Sequence, residues 1–210
     1  MPHAQTHTHP KGLAIWLIIA GVIGWWAAFQ LMVEKVYLLE NPGAHASCDF
    51  SILVQCGKNL MAAQGSVFGF SNPILGLTGW MAPLVVGVAI LAGARFARWF
   101  WVTFWVGVTG AFALVCWFIF TSIFVLHTLC PWCMTTWAVT IPTFYVVTLH
   151  LFRSGIAFPS ARVQHAAQRL MTWVPLMVIV SYGIVILLAQ IELNAVPNIW
   201  QTIRIKLGWY

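Results

Sequence analysis

The chain has 210 residues, of which 61% are apolar and only 7% charged, with a mean hydropathy of +0.87. That composition excludes a water-soluble core and predicts an all-α polytopic membrane protein whose surroundings are a lipid bilayer. The formal charge of +6 comes from single Lys and Arg residues between apolar runs; they form no basic stripe, so nucleic acid is not an expected partner.

Residues 1–11 form a polar tail with His3, His7 and His9, expected to be disordered rather than a metal site. Gly12 to Val33 is uncharged and long enough to cross a hydrocarbon core of about 30 Å. It is too long for the apolar region of a signal peptide and no cleavage site follows, so it reads as an uncleaved first helix. Residues 34–72 make the longest segment outside the membrane and carry Cys48-Asp49-x6-Cys56. A connection of that length points to a functional loop. Its second half, Leu60 to Ala63 and Gly65 to Phe70, is too apolar for a solvated loop and too short to span, which predicts a half-helix at the interface.

Pro73 to Ala94 and Trp99 to Leu126 are the second and third spans, joined by a basic turn with Arg95 and Arg98; the third is long enough to tilt or protrude. The fourth starts at Cys130-Pro131-Trp132-Cys133 and runs to about His150, with a kink expected at Pro142. A basic cytoplasmic linker (151–170), a fifth span (171–191) and a tail (192–210) complete the chain. Six basic residues (Lys11, Arg95, Arg98, Arg153, Arg162, Arg169) fall on one face and four (Lys35, Lys58, Arg204, Lys206) on the other, which places the N-terminus in the cytoplasm. Parity adds an independent constraint. The chain leaves helix 1, enters with helix 2 and returns with helix 3, so the loop cysteines and the C-x-x-C share a face. With the charge bias that face is extracytoplasmic, where disulfides persist.

In the C-x-x-C, Cys130 falls at an N-cap and Pro131 at the first helical position, where its missing N–H costs nothing. Cys133 falls in the first turn, where unpaired N–H groups and the helix dipole favour a thiolate. Two dithiols on one face, one on a loop and one at a helix start, can pass electrons by thiol exchange. The loop pair can meet a bulky protein partner, while the fixed pair faces whatever the bundle encloses, for which an organic redox cofactor is expected. The same residues have other readings. Zinc could be held by the C-x-x-C with Cys48, Cys56, His45 and His127, although the loop spacing is not that of a zinc knuckle. A Cys48–Cys56 disulfide could be purely structural. Cys116 reads as a packing residue, and His127 as an interfacial side chain or a carrier of protons near the sulfurs. Among thirteen Trp, only Trp132 and Trp137 lie beside the motif.

The combination of Cys48-Asp49-x6-Cys56, the stretch Phe68 to Gly76 entering helix 2, and Cys130-Pro131-Trp132-Cys133-x3-Trp137 resembles the vitamin K epoxide reductase family over about residues 12–150. The resemblance implies a four-helix bundle around a quinone, spanning 12–150 with the loop 34–72, to which this chain adds a fifth transmembrane helix. It implies that Cys133 lies nearest the quinone, that Cys130 exchanges with the loop, that Cys56 attacks Cys130, and that Cys48 meets the protein partner. Asn72 matches an asparagine that hydrogen-bonds a quinone oxygen, and Trp137 is a further candidate for binding the quinone.

Trp137 replaces a tyrosine that the family often has, and Ala62 lies near the place of a small hydroxyl residue, so one hydrogen bond to the quinone is either missing or supplied elsewhere. The chain also stops without the fused thioredoxin-like domain of many bacterial members. The expectation is therefore a quinone-dependent thiol–disulfide oxidoreductase of the bacterial plasma (inner) membrane. Its partner would be a separate thioredoxin-like disulfide oxidant outside the cytoplasm, and its acceptor menaquinone or ubiquinone from the membrane pool, with no metal. Two alternatives use the same residues. A transmembrane conduit of reducing equivalents needs cysteines reachable from both faces, where this chain has only Cys116; a non-catalytic scaffold needs only a structural loop disulfide.

Overall fold

A backbone immersed in hydrocarbon must bond to itself, and the chain answers with helices nearly throughout. The structure, a computed structural model, describes residues 11–157 and 159–206, so the tail with His3, His7 and His9 lies outside the described residues. Among the described residues, five helical segments are long and apolar enough to cross a membrane: Lys11–Glu40, Asn72–Leu91, Arg98–Leu126, Pro131–Arg153 and Ala161–Leu193. The protein is an all-α polytopic membrane protein.

Helix α1, Lys11–Glu40, runs well past the expected end at Val33. Glu34 and Lys35 do not stop it because both charges find partners beyond the helix. Glu34 accepts from the N–H of Ser47 at 3.0 Å and from the Ser47 hydroxyl, and Lys35 Nζ donates to the Leu60 carbonyl at 2.7 Å. In the loop, the apolar stretch expected as one half-helix folds as α2, Gly57–Met61, followed by a 3₁₀ turn, Ala63–Ser66. The second span is two helices, α3 (Asn72–Gly79) and α4 (Met81–Leu91). They part at Trp80, where Pro83 has no N–H to offer the Gly79 carbonyl.

Helix α5, Arg98–Phe120, passes into a π-helical turn, Thr121–Leu126, which His127 ends in the left-handed conformation (φ 52°, ψ 41°). Helix α6, Pro131–Arg153, contains Pro142. The Ala138 carbonyl that Pro142 leaves without a helical donor accepts a hydrogen bond from the Tyr182 hydroxyl. Helix α7, Ala161–Leu193, begins well before the expected Met171, so Arg162 and Arg169 ride on its first turns rather than in a linker. Helix α8, Ala195–Lys206, occupies most of the expected C-terminal tail.

Helix α6 is the shared wall of the assembly, packing against α1, α5 and α7, while α1 also packs along α3 and α4. Leu13, Leu17, Val86, Ile90, Trp101, Val147 and Leu151 fill one end of the bundle. Indole and hydroxyl groups staple the helices where hydrocarbon offers no other partner: Trp16 Nε1 donates to Thr143 Oγ1 and Trp105 Nε1 to Thr148 Oγ1, both at 3.0 Å, and Tyr145 pairs with Ser181 at 2.9 Å. Helix α7 stands outside the four-helix bundle and exposes Trp173, Ile179, Ile184, Leu187 and Ile191, as a lipid-facing helix does.

The seam between α1 and α4 depends on close backbone approach. A Cβ placed on Gly87 would lie 2.7 Å from the Ala14 carbonyl oxygen, and one on Gly21 would lie 2.8 Å from Leu84 Cβ. Gly87→Ala is therefore expected to push α1 and α4 apart and to destabilise the bundle by about 1–3 kcal/mol, read as a lower unfolding temperature in detergent. The control is Gly107→Ala, where a new Cβ meets nothing within 4 Å and the unfolding temperature should hold.

Candidate active site

Three sulfurs stand in a row at one end of the bundle. Cys48 and Cys56 are joined in a disulfide, and Cys130 Sγ lies 3.3 Å from Cys56 Sγ although the two residues are 74 apart in sequence. Cys56 and Cys130 are fully buried and Cys48 is 4% exposed, packed with Leu31, Leu38, Ala46 and Leu60. Cys130 is the N-cap of α6, and its sulfur accepts from the N–H of Cys133 at 3.4 Å. Pro131 takes the first helical position, so the local reading of the C-x-x-C and the observed helix start agree.

Backbone pairing brings the two segments together. Val54 and Leu129 form an isolated parallel bridge, in which Gln55 N donates to Leu129 O at 3.1 Å and Leu129 N donates to Leu53 O at 2.8 Å. Cys56 and Cys130 follow directly on either side of that pairing. Asp49 then shapes the disulfide loop. Its Oδ1 accepts from the N–H groups of Cys56 (2.7 Å) and Gly57 (3.0 Å), and its Oδ2 accepts from Ala46 N at 3.1 Å. One carboxylate so binds the chain on both sides of the disulfide, and it lies against Gly57, where a Cβ would come within 2.9 Å of Oδ2.

The segment that leads into Cys130 is held residue by residue. Lys58 Nζ donates to the Leu126 carbonyl at 2.7 Å. His127 Nε2 lies 3.3 Å from Glu192 Oε1. Thr128 N donates to Ser122 O at 3.0 Å, and Thr128 Oγ1 accepts from Asn59 Nδ2 at 2.9 Å. The Ser122 hydroxyl donates to the Thr128 carbonyl at 2.5 Å. The π turn widens the helix just before this segment, a distortion that recurs at functional sites.

Beside the sulfurs opens a cavity of about 1260 Å³ bounded by α3, α4, α5 and α6. Its lining follows one face of α5 from Trp99 to Phe118, about 29 Å at the helical rise, close to the full thickness of a hydrocarbon core. The polar groups gather at the sulfur end, where Asn59, Gln64, Asn72, Ser122 and Cys133 contribute to the wall. Elsewhere the walls are apolar apart from Thr residues such as Thr136, Thr140 and Thr143, whose hydroxyls bond to their own helix. Cys133 lines the cavity and Cys130 does not. Asn72 also lines it, with Oδ1 accepting from Val67 N at 3.0 Å and Nδ2 donating to Gln64 O at 2.6 Å. The second Nδ2 hydrogen is not used in those bonds. Trp137 is 4% exposed and lines the cavity, and no partner for its indole N–H appears among the described residues.

Such a cavity fits a quinone with a long isoprenoid tail: polar donors and a thiol at one end, an apolar channel for the rest. The zinc arrangement of the same residues is not assembled, since Cys48 and Cys56 are bonded to one another and His127 turns to Glu192. Cys116 stands apart on α5. Sequence reasoning did not single out Asp49, Lys58, Asn59, Ser122 or Glu192. Only Asp49 carried a signal, as the neighbour of Cys48 within the motif. The sequence model of the vitamin K epoxide reductase family matches residues 15–148. A search of curated proteins finds no match.

Asp49→Ala removes a charged acceptor from three N–H groups, a loss of about 1.5–3 kcal/mol per charged hydrogen bond where the donor is left unpaired. The loop disulfide of that variant should be opened by dilute dithiothreitol roughly tenfold faster or more, read by alkylation and mass spectrometry, while the helix content is unchanged.

Proposed function

The chain belongs to the vitamin K epoxide reductase family of membrane thiol–disulfide oxidoreductases, and we propose that it carries electrons from an extracytoplasmic thioredoxin-like partner to a membrane quinone, menaquinone or ubiquinone, so driving disulfide formation. The observation that carries this reading is the contact of Cys130 with the Cys48–Cys56 disulfide, with Cys133 on the cavity wall one turn further on.

The relay runs through two exchanges. A thiolate of the reduced partner attacks Cys48, the Cys48–Cys56 bond breaks and Cys56 leaves as the thiolate. The partner's second thiol then displaces Cys48, and the partner departs oxidised. Cys56 attacks Cys130 of an oxidised Cys130–Cys133 pair, and Cys133 leaves as the thiolate at the cavity wall. Cys48 closes on Cys56, which restores the loop disulfide and frees Cys130. That end state, a closed loop disulfide beside two free thiols, is the arrangement found here.

A quinone bound in the cavity supplies the acceptor for the two electrons and two protons released when the Cys130–Cys133 disulfide closes again. Asn72, through its second amide hydrogen, and Trp137, through its indole N–H, would hold its oxygens, so that Trp137 supplies the bond expected from a tyrosine. The walls exclude water, which strengthens both bonds. Because Cys48 is buried, the partner reaches it when the loop lifts from Glu34, whose carboxylate grips Ser47 next to the sulfur. The positive-inside bias supports a cytoplasmic N-terminus and a bacterial plasma membrane setting with the sulfurs outside.

Cys48→Ala and Cys56→Ala should abolish oxidation of a thioredoxin-like partner while retaining much of the quinone reduction driven by a small dithiol. Cys130→Ala and Cys133→Ala should lose both. Full-rate partner oxidation by the loop variants would leave the loop disulfide with only a structural role. On the acceptor side, Trp137→Phe and Asn72→Ala should each weaken quinone use by about tenfold, measured as kcat/KM with a fixed dithiol donor, since each leaves a quinone oxygen short of a donor.

A further inference from the structure

Helix α7 lies outside the residues that the family model matches, yet its far end touches the relay. Ala189 and Leu193 pack with Ile123, Leu129 and Trp137, and Cys133 borders the same cluster. Between them in sequence, Glu192 reaches His127, with 3.3 Å between Oε1 and Nε2 and side chains 37% and 52% exposed. His127 Nδ1 lies 3.3 Å from the Val125 carbonyl, so acceptors face both ring nitrogens. His127 is also one of two non-glycine residues in the left-handed region among the described residues, a conformation that holds only where the surroundings fix it.

That corner sets the direction of the three residues that end at Cys130. Lys58, two residues beyond Cys56, holds the corner from the loop side through the Leu126 carbonyl, and Glu192 holds it from the opposite side. Among the described residues, the other hydrogen bonds to this segment come from the loop or from the helices it joins. Glu192 is the polar anchor contributed by α7, beside the apolar contact of Ala189 and Leu193 with Leu129. We propose that Glu192 is a positioning residue for thiol exchange: by fixing the His127 corner it keeps Cys130 within bonding reach of Cys56. The proposal rests on the relay described above. In the step concerned, Cys130 gives up its proton and bonds to Cys56, the Cys48–Cys56 bond breaks, and Cys48 takes up the proton; one disulfide replaces another with no net oxidation.

Cys133→Ala isolates that step, because Cys130 then has no helix partner and can only exchange with the loop. Full-length protein in lipid nanodiscs is brought to equilibrium, quenched with acid and alkylated, and the ratio of Cys56–Cys130 to Cys48–Cys56 linkage is read by peptide mapping. Adding Glu192→Ala should lower the ratio about threefold to fivefold, the scale of a half-exposed ion pair, and Glu192→Gln should lower it less. His127→Asn keeps a residue that tolerates the left-handed backbone and should match Glu192→Ala. The double variant should be no worse than either alone. With Cys133 intact, quinone reduction by a small dithiol should be unaffected by Glu192→Ala. An unchanged linkage ratio, additive effects of the two substitutions, or an equal loss of dithiol-driven quinone reduction would each overturn the positioning role while leaving the relay standing. Absence of any Cys56–Cys130 linkage in Cys133→Ala would overturn the relay and the proposal with it. Should Glu192→Ala fail to fold, His127→Asn carries the same test.

Discussion

Two hydrogen bonds between Leu129 and the Leu53–Gln55 backbone decide whether this protein has a redox centre. Cysteines 74 residues apart cannot be brought to 3.3 Å by sequence proximity, and the disulfide loop has no rigid element of its own. The parallel bridge gives it one, by borrowing the extended strand-like residues that a helix start requires. Cys130 has extended backbone angles because it is an N-cap, and the same extended stretch offers its neighbour's N–H and carbonyl to the loop. Capping a helix and docking a loop are thus one act.

The cost of that arrangement is backbone polarity at the edge of hydrocarbon, where each unpaired group is expensive. Every stretch of the docked loop shows how the cost is met. Asp49 takes three N–H groups, Lys58 and Lys35 each take a carbonyl, and Asn59 bonds to both Gln55 and Thr128. Satisfied networks of this kind rigidify, and here rigidity holds the Cys130 sulfur 3.3 Å from that of Cys56. It also accounts for the choice of short polar and charged side chains in a chain otherwise so apolar.

Much of this was legible in the sequence, and the parts that were not have physical reasons. Uncharged runs reveal where hydrocarbon begins, but a helix does not end where hydropathy does. Helix α1 continues through Glu34 and Lys35, and α7 begins at Ala161 among Arg162, His165 and Arg169, because interfacial charges are compatible with helical backbone when they can reach water or a partner. The C-x-x-C was readable because capping is local: Cys130, Pro131 and Cys133 carry their positions within four residues. The loop fold was hidden because it depends on pairing at long range. Asp49 is visible beside Cys48, but nothing near it tells that its acceptors face Cys56. Glu192 is separated from His127 by the whole of α6 and nearly all of α7, and the packing of α7 on α6 and on the π turn brings them together.

All four sulfurs of the relay sit at one end of the bundle. In the proposed relay, electrons and protons handed from loop to helix would therefore travel sideways, along the face of the bilayer rather than through it. A charge carried fully across would feel the membrane potential with about 2.3 kcal/mol per 100 mV, enough to drive or stall a reaction so finely balanced as disulfide exchange. Exchange confined to one face feels almost none of that field. The proposed sulfur relay would then be electrically silent, running at the same poise in an energised membrane as in a collapsed one.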